Sequence, residues 1–329
     1  LVQEAAVDRA CRAALAVRRE FELAGRTPGH PLADFRMGMG LASGRAVAGR
    51  ARADHAPMHP NLYALGAIAL WASLASLGVA LKHVPPFLLT GLALVIGSVP
   101  AWPLARQWKM PPRTLALGLY GLFGYHFLLF IALRVAPPVE ANLVNYLWPL
   151  LIVVLAPVLL PGMRLKPLHL LAALAGFAGA GIAILGGGGA TGAWSWGYLP
   201  ALASAVIWAT YSLWTRRVPA FPTAAIGLFG LASGLLSLAC HALLEPAVTL
   251  SGTDWGLIAV MGLGPLGAAF FLWDKALKNG DARHIGILSY LTPLASTTLL
   301  VLTSGRPFTA SIALAGALII GAAIIGTRG

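Results

Sequence analysis

The sequence predicts an all-α integral membrane protein with ten transmembrane helices, arranged as two inverted five-helix repeats with both termini in the cytoplasm. Three observations predict this fold class. The 329 residues are 58% hydrophobic and only 10% charged, with a mean hydropathy of +0.79. Apolar stretches of about 20 residues recur along the chain, as a bilayer core of roughly 30 Å requires of a helix. Segments 144 residues apart also resemble one another.

Residues 1–57 differ from the rest of the chain. They hold 9 of the 23 Lys and Arg residues and 6 of the 11 Asp and Glu residues, without an apolar run long enough to cross a bilayer. Residues 2–25 have helical periodicity with charges on one side, and no signal-peptide pattern is present. Residues 34–50 (DFRMGMGLASGRAVAGR) resemble the late part of class III nucleotide cyclases, but the metal-binding aspartates of that family are absent. We expect a soluble extension, a cyclase-like remnant or a misassigned start that need not be ordered, with the membrane protein beginning near Met58.

Ten apolar stretches follow this extension, separated by short loops. We predict spans at about 60–81, 84–105, 113–134, 138–160, 166–186, 194–216, 221–243, 252–276, 282–303 and 308–327. The many glycines and prolines fit this interpretation, because neighbouring helices satisfy the backbone groups that they free.

The distribution of basic residues predicts the orientation of these spans. With the amino terminus inside, 11 of the 14 Lys and Arg residues after position 57 fall in cytoplasmic loops or the tail. Only Lys82, Arg134 and Arg306 fall outside, as expected where basic residues mark the cytoplasmic side. The net charge of +12 is therefore explained by topology rather than by a surface for nucleic acid.

An internal repeat relates the two halves of the membrane region. NYLWPLL at 145–151 aligns with SYLTPLA at 289–295, and Trp71 aligns with Trp208 at a slightly smaller offset. A chance match between apolar segments is less favoured, because aromatic and proline positions agree in two separate places. We assign residues 58–190 and 191–329 to the two repeats. Because each repeat has an odd number of spans, the two are inverted, which is typical of secondary transporters with a site near the midplane.

Two segment types in each half resemble the EamA-type drug/metabolite transporter superfamily over residues 60–329. They are the Trp-Ala/Ser pattern of the first span and the NYLWPL and SYLTPL segments of the fourth. Within that superfamily, VEANLVNYLWPLLIVVL at 139–155 and GYHFLLFIAL at 124–133 are similar to YddG-type aromatic amino acid exporters. The resemblance implies alternating-access export of aromatic and other hydrophobic amino acids across a bacterial inner membrane. A permease of the same fold for another metabolite or drug is the main alternative; a membrane-embedded enzyme and a channel are less favoured.

Two polar stripes are predicted on the fourth and ninth spans. The first comprises Asn142, Asn145, Tyr146 and Pro149, and the second comprises Gly286, Ser289, Tyr290 and Pro293. Spacing of i, i+3, i+4 and i+7 places each set on one helix face. Because polar groups rarely face lipid, we expect both stripes to line a central substrate cavity, with interhelical hydrogen bonding as the alternative. The two prolines are expected to act as hinges or to shape packing.

Further substrate-binding residues are predicted on the third, fourth and sixth spans. Tyr125 and His126 lie in the middle of the third span, where an ionisable side chain is costly and by default a functional candidate. For His126, a structural hydrogen bond to a neighbouring helix is the alternative. Trp208 and Tyr211 are spaced to offer rings to an apolar or ammonium-bearing substrate. The resemblance adds Trp148 as a border of the cavity.

Two carboxylates lie near the ends of spans. Glu140, at the outer end of the fourth span, is expected to act in gating or as a helix-start residue. Transport down the substrate gradient is expected, with proton coupling through Glu140 or His126 as the alternative. Asp274, at the inner end of the eighth span, is expected to form a boundary ion pair with the nearby Lys275 and Lys278.

The sequence lacks the signatures of an enzyme. It contains no P-loop of the G-x-x-x-x-G-K-S/T kind, and its spans carry no nucleophile or metal-ligand cluster. Cys11 and Cys240 are far apart and indicate neither a disulfide nor a metal site. We therefore predict a non-enzyme without cofactor or metal. Its partners are a small-molecule substrate and the lipid bilayer, and a monomer suffices because both halves lie in one chain.

Overall fold

The chain divides into two units, Leu1–Met58 and His59–Gly329. The computed structural model describes residues 39–42, 45–48, 59–186, 192, 194–304 and 309–327. In the first unit the described residues form two antiparallel strands, β1 (Met39–Ala42) and β2 (Arg45–Ala48), with Met39 paired to Ala48. The helix predicted at 2–25 lies outside the described residues.

The second unit is helical throughout its regular described elements. Its helices occupy ten stretches of chain, labelled α1–α10. They are α1 (Pro60–Ala80), α2 (Pro86–Gln107), α3 (Pro112–Val135), α4 (Pro138–Leu159), α5 (Pro167–Leu185), α6 (Tyr198–Trp214), α7 (Ala225–Leu244), α8 (Gly252–Asn279), α9 (Ala282–Leu288 and Leu291–Ser304) and α10 (Ala310–Thr327). The first five begin at proline, whose fixed φ and missing N–H suit the first helical position.

Seven of these stretches, α1–α5, α7 and α8, are long and apolar enough to cross a bilayer by length and composition. The other three do not meet that criterion: α6 has 17 residues, α9 is divided into two helices, and α10 counts as a shorter apolar helix. The helices nevertheless begin and end within a few residues of the ten predicted spans. That all ten cross the membrane stays a prediction.

The irregular points of the helices recur at the repeat distance. A π-helical turn interrupts α3 at Tyr120–Gly124 and α8 at Gly264–Ala268. Likewise, α4 breaks between Asn145 and Trp148, and α9 breaks between Leu288 and Leu291. Both π turns begin 144 residues apart, which is the offset between the NYLWPLL and SYLTPLA motifs. The two halves thus share backbone irregularities as well as residues.

Glycines on α3 allow neighbouring helices to approach closely. A Cβ on Gly118 would lie 2.2 Å from the Phe229 ring of α7, and one on Gly121 would lie 2.2 Å from the Tyr211 ring of α6. Gly124 is different, because its nearest neighbour would be an Ile207 carbon at 3.6 Å. Close helix packing is therefore present at Gly118 and Gly121, but not at Gly124.

Candidate functional site

A cavity of about 420 Å³ lies among the helices of the second unit. Residues from α1, α2, α3, α4, α6, α8 and α9 line it. The cavity lies toward one end of the bundle. The carboxyl-terminal halves of α1, α3 and α9 and the amino-terminal halves of α2 and α4 meet at that end. Its volume is within the range of roughly 300–1,000 Å³ that holds small-molecule ligands.

The cavity surface combines aromatic rings with a few neutral polar groups. Among the described residues that line it, there is no Asp, Glu, Lys or Arg. Polar groups come from amides, hydroxyls and one imidazole, supplied by Thr90, Tyr125, His126, Asn142, Asn145, Tyr146, Thr292 and Ser296. A low-dielectric site without fixed formal charge disfavours a ligand with a large net charge, because its desolvation would not be compensated.

Tryptophans form one end of the cavity. Trp71, Trp148 and Trp208 come from three different helices, and their ring centroids lie 5.9–6.4 Å apart in edge-to-face pairs. Trp273 lies behind them, 1% exposed, with its centroid 5.3 Å from that of Trp71. Phe270 adds a ring 5.7 Å from Trp208. Edge-to-face contacts of this kind stabilise aromatic clusters.

A hydrogen-bond chain ties α3, α4 and α6 together at the cavity wall. The Asn145 amide N–H donates to the Tyr125 hydroxyl oxygen at 3.1 Å, and its carbonyl oxygen lies 2.9 Å from Ser204 Oγ. Asn145 is 3% exposed, and each end of its amide has a protein partner, although the Ser204 hydroxyl shares its one proton between Asn145 and the Ala201 carbonyl at 2.7 Å. Because the Tyr125 oxygen accepts from Asn145, its own proton remains for another partner.

His126 is held in one orientation by its own helix. Its Nδ1 lies 2.6 Å from the Leu122 carbonyl oxygen, one turn earlier. Since a carbonyl only accepts, Nδ1 carries the proton and Nε2 carries the lone pair in the neutral ring. The imidazole lies beside the rings of Tyr125 and Phe130 at 4.9 and 6.0 Å between centroids. His126 therefore offers an acceptor rather than a charge in its neutral form.

Comparison with known proteins identifies the family. A model of the EamA-like transporter family matches residues 59–185 and, a second time, residues 195–327. The chain belongs to the EamA-like transporter family. It is 44% identical over 277 residues to the aromatic amino acid exporter YddG of Ancylobacter novellus, covering 81% of this chain and 96% of that protein. The aromatic amino acid exporter YddG of Salmonella typhimurium is 29% identical, with 76% and 90% covered.

A solved crystal structure extends this similarity to the fold. It is 42% identical, with a TM-score of 0.76, and covers 82% of this chain and 97% of its own. The predicted membership in the EamA-type superfamily, with similarity to the YddG type, is therefore confirmed. This EamA-like protein is a multi-pass inner-membrane transporter of small molecules and not an enzyme.

Seven of the ten predicted substrate-binding residues line the cavity of this EamA-like transporter. They are Tyr125, His126, Asn142, Asn145, Tyr146, Trp148 and Trp208. They come from α3, α4 and α6, so helices far apart in sequence contribute to one surface. Their role in binding stays a prediction.

The other three predicted residues lie outside the cavity lining. Tyr211 is one layer removed, with its ring 5.4 Å from Trp208 and packed over Gly121. Ser289 is fully buried, and its hydroxyl donates within its own helix to the Gly286 carbonyl at 2.6 Å. Tyr290 is fully buried in a cluster with Ala180, Phe177 and Ile319 of α5 and α10. Ser289 and Tyr290 of the second stripe therefore pack between helices, and Thr292 and Ser296 of α9 line the cavity instead.

The predicted hinge prolines follow the breaks in the helices. Pro149 is the second residue of the second α4 helix, and Pro293 is the third residue of the second α9 helix. At these positions a missing N–H leaves no carbonyl unpaired within the helix. The first stripe packs against α9 at Pro149. A Cβ on Gly286 of α9 would lie only 3.2 Å from the Pro149 carbonyl oxygen.

The two predicted carboxylates lie away from the cavity lining. Glu140 is in the first turn of α4, where it complements the helix dipole, and accepts from the Gly192 N–H at 3.0 Å. Asp274 pairs with Lys278 at 2.6 Å and accepts from the Thr223 hydroxyl at 2.7 Å. The predicted boundary ion pair at Asp274 is confirmed.

Sequence patterns missed one charged cluster. Glu245, which follows α7, has a fully buried carboxylate that pairs with Arg134 of α3 and with His241. The same carboxylate accepts from the backbone N–H groups of Phe87 and Leu88 at the start of α2, at 3.0 and 3.1 Å. The sequence suggests only a loop carboxylate, because its main partners are more than 100 residues away.

Sequence patterns also missed rings on the cavity surface. Trp71 and Phe270 line the cavity but were not predicted as site residues. The repeat could have found both, because Trp71 aligns with Trp208 and Phe270 lies 144 residues after His126.

Proposed function

We propose that this transporter exports aromatic and other hydrophobic amino acids by alternating access. The observation that carries the proposal is the cavity, which combines tryptophan and phenylalanine rings with neutral hydrogen-bonding groups and has no formal charge among its described lining residues. A zwitterionic amino acid has no net charge, and an aromatic side chain gains from ring contacts. The two relatives named aromatic amino acid exporter support the same substrate class.

Each part of an aromatic amino acid has a matching group. The side chain would contact Trp71, Trp208 and Phe270, whose rings meet at one end of the cavity. The substrate ammonium would donate to His126 Nε2 or lie over a ring face. The carboxylate would accept from the Asn142 amide and the Tyr125 hydroxyl, which lie on the cavity wall.

We infer that all ten helical stretches cross the membrane, with both termini in the cytoplasm. The excess of basic residues in the inner loops supports this orientation. Two family matches in tandem and the shared helix irregularities support two repeats, at 58–190 and 191–329. An odd number of spans in each then makes them inverted. With this orientation the cavity would lie in the outer half of the membrane, which supports an outward-facing conformation.

Alternating access would follow from movement of helices around the two breaks. In the proposed orientation, Tyr211, Trp273 and the Asp274–Lys278 pair would lie on the cytoplasmic side of the cavity. Pro149 and Pro293 lie directly after the breaks in α4 and α9 and would act as hinges. One chain holds both halves, so a monomer is sufficient.

We propose transport down the substrate gradient. The described cavity lining has no carboxylate that could exchange a proton for substrate. Glu140 is engaged at the outer end of α4, where gating fits better than coupling. His126 remains the residue through which proton coupling would act if uptake needed a pH gradient.

The test is counterflow of tryptophan, phenylalanine and threonine in proteoliposomes, with Trp208→Ala as the site variant. Competition by tryptophan that exceeds competition by a nucleobase, and loss of that preference in Trp208→Ala, is expected. A better competitor from the nucleobase or cationic-drug class would refute the substrate and leave a permease of the same fold. Uptake that requires a pH gradient would refute the uncoupled mechanism.

A further inference from the structure

A second surface depression lies at the end of the bundle opposite to the half that holds the cavity. It has a volume of about 390 Å³ and is formed where α3 begins and α6 ends. Its lining comprises Arg113, Ala116, Leu117, Tyr120, Trp214, Arg217 and Val218. We call it the α3–α6 groove. No acidic residue is part of this described lining.

No described acidic residue pairs with either arginine of the α3–α6 groove. Among the described residues, neither the Arg113 nor the Arg217 guanidinium forms a side-chain hydrogen bond or ion pair. Two other cations of the bundle are compensated, since Arg134 pairs with Glu245 and Lys278 pairs with Asp274. Two uncompensated guanidinium groups beside one depression favour a ligand with a phosphate group, since their planar donors match phosphate oxygens.

The rest of the groove is aromatic and apolar. The rings of Tyr120 and Trp214 have centroids 6.0 Å apart, and the Tyr120 hydroxyl lies 2.9 Å from Thr210 Oγ1. Thr210 Oγ1 is 2.7 Å from the Val206 carbonyl oxygen and donates to it, so the tyrosine proton points to Thr210. The hydroxyl therefore fixes the ring that forms the groove wall. Tyrosine and tryptophan are typical of the level of lipid headgroups.

The groove opens to the periphery of the bundle rather than to the cavity. Ala116 on α3 is exposed, and on α6 the side chains of Leu202 and Val206 are 40% and 37% exposed. These apolar groups continue the outer surface of α6 from the groove toward the middle of the bilayer. A ligand with its phosphate between the arginines would thus have a path for acyl chains along α6.

We propose that the α3–α6 groove binds the headgroup of an anionic phospholipid. The arginines contact the phosphate, the Tyr120 and Trp214 rings flank the headgroup, and an acyl chain lies along α6. Basic pockets between helices on the cytoplasmic side are suited to anionic headgroups, because anionic lipids give that leaflet a negative surface potential. The proposal is independent of the transported substrate.

The test uses the purified full chain in detergent with phosphatidylglycerol or phosphatidylcholine of the same acyl chains. Native mass spectrometry measures retained lipid, and tryptophan fluorescence measures the unfolding temperature. Each basic contact contributes roughly a fivefold preference for anionic lipid, so two arginines predict about a 25-fold preference for phosphatidylglycerol. The double variant Arg113→Gln/Arg217→Gln should lose that preference and unfold at the wild-type temperature in phosphatidylcholine.

Arg106→Gln is the matched control, because Arg106 is exposed at the same end of the bundle but outside the groove. It should retain the wild-type preference for phosphatidylglycerol. Equal retention of the two lipids, or an unchanged preference in the double variant, would overturn the proposal. Inorganic phosphate that stabilises the chain as strongly as phosphatidylglycerol would overturn it too, since the ligand would then be a free anion.

Discussion

Replacing Gly121 of α3 by alanine should destabilise the fold, whereas the same replacement at Gly124 should not. Both glycines lie in the π-helical turn Tyr120–Gly124, so their local backbone is similar. They differ in what faces them. Gly121 faces the ring of Tyr211, which is 3% exposed and lies behind the Trp208 wall of the cavity. Gly124 faces the Ile207 side chain, which a Cβ there would meet at 3.6 Å.

The size of the effect follows from the distances. A Cβ at position 121 would lie 2.2 Å from two ring carbons of Tyr211, although carbon contacts settle at roughly 3.5–4.0 Å. Relieving this overlap in a buried site costs about 1–3 kcal/mol. At position 124 the new Cβ would meet Ile207 at 3.6 Å, an ordinary contact. Both variants gain similar helix propensity, so the overpacking cost is the difference between them.

Thermal unfolding in detergent, followed by tryptophan fluorescence, measures this difference. At about 2–4 °C per kcal/mol, Gly121→Ala should unfold about 2–12 °C below Gly124→Ala. The Tyr211→Ala background tests the cause, because Gly121→Ala should be neutral or stabilising once the ring is gone. Equal unfolding temperatures for the two glycine variants, or the same loss in the Tyr211→Ala background, would refute the packing argument.

Three further predictions concern polar groups. Glu245→Gln should lower the free energy of unfolding by about 2–3 kcal/mol, because the substitution removes the charged partner of Arg134 and half of the α2 cap. Thermal unfolding measures this loss, and a change below about 0.5 kcal/mol would contradict the prediction. Asn145→Ala should lower the free energy of unfolding by about 1 kcal/mol, since transmembrane hydrogen bonds average about 0.6 kcal/mol each and this variant loses two of them. The unfolding temperature of Asn145→Ala should therefore change less than that of Glu245→Gln. His126→Asn retains a donor near Nδ1 but loses Nε2, so tryptophan should bind roughly ten- to hundredfold more weakly with little change in stability. Unchanged tryptophan affinity by titration calorimetry would exclude His126 from the ammonium site.

Part of the candidate site could be predicted because helical periodicity is local information. Spacing alone placed Asn142, Asn145 and Tyr146 on one face of α4, and all three line the cavity. The same argument failed for Ser289 and Tyr290 on α9. Periodicity defines a face but not the rotation of the helix relative to its neighbours, which depends on packing. Glycine-rich α5 leaves space for the Tyr290 ring, since a Cβ on Gly176 would lie 2.4 Å from it.

By itself, the sequence determined the positions of the apolar helices, the internal repeat and the family, because these depend on hydrophobicity and residue identity along the chain. Only the tertiary structure decided which groups meet. It joined Asn145 to Tyr125 and Ser204, buried Glu245 against Arg134, and gathered the tryptophans of four helices at one end of the cavity. These contacts link residues distant in sequence, so they depend on how whole helices pack and on the requirement that buried polar groups find partners.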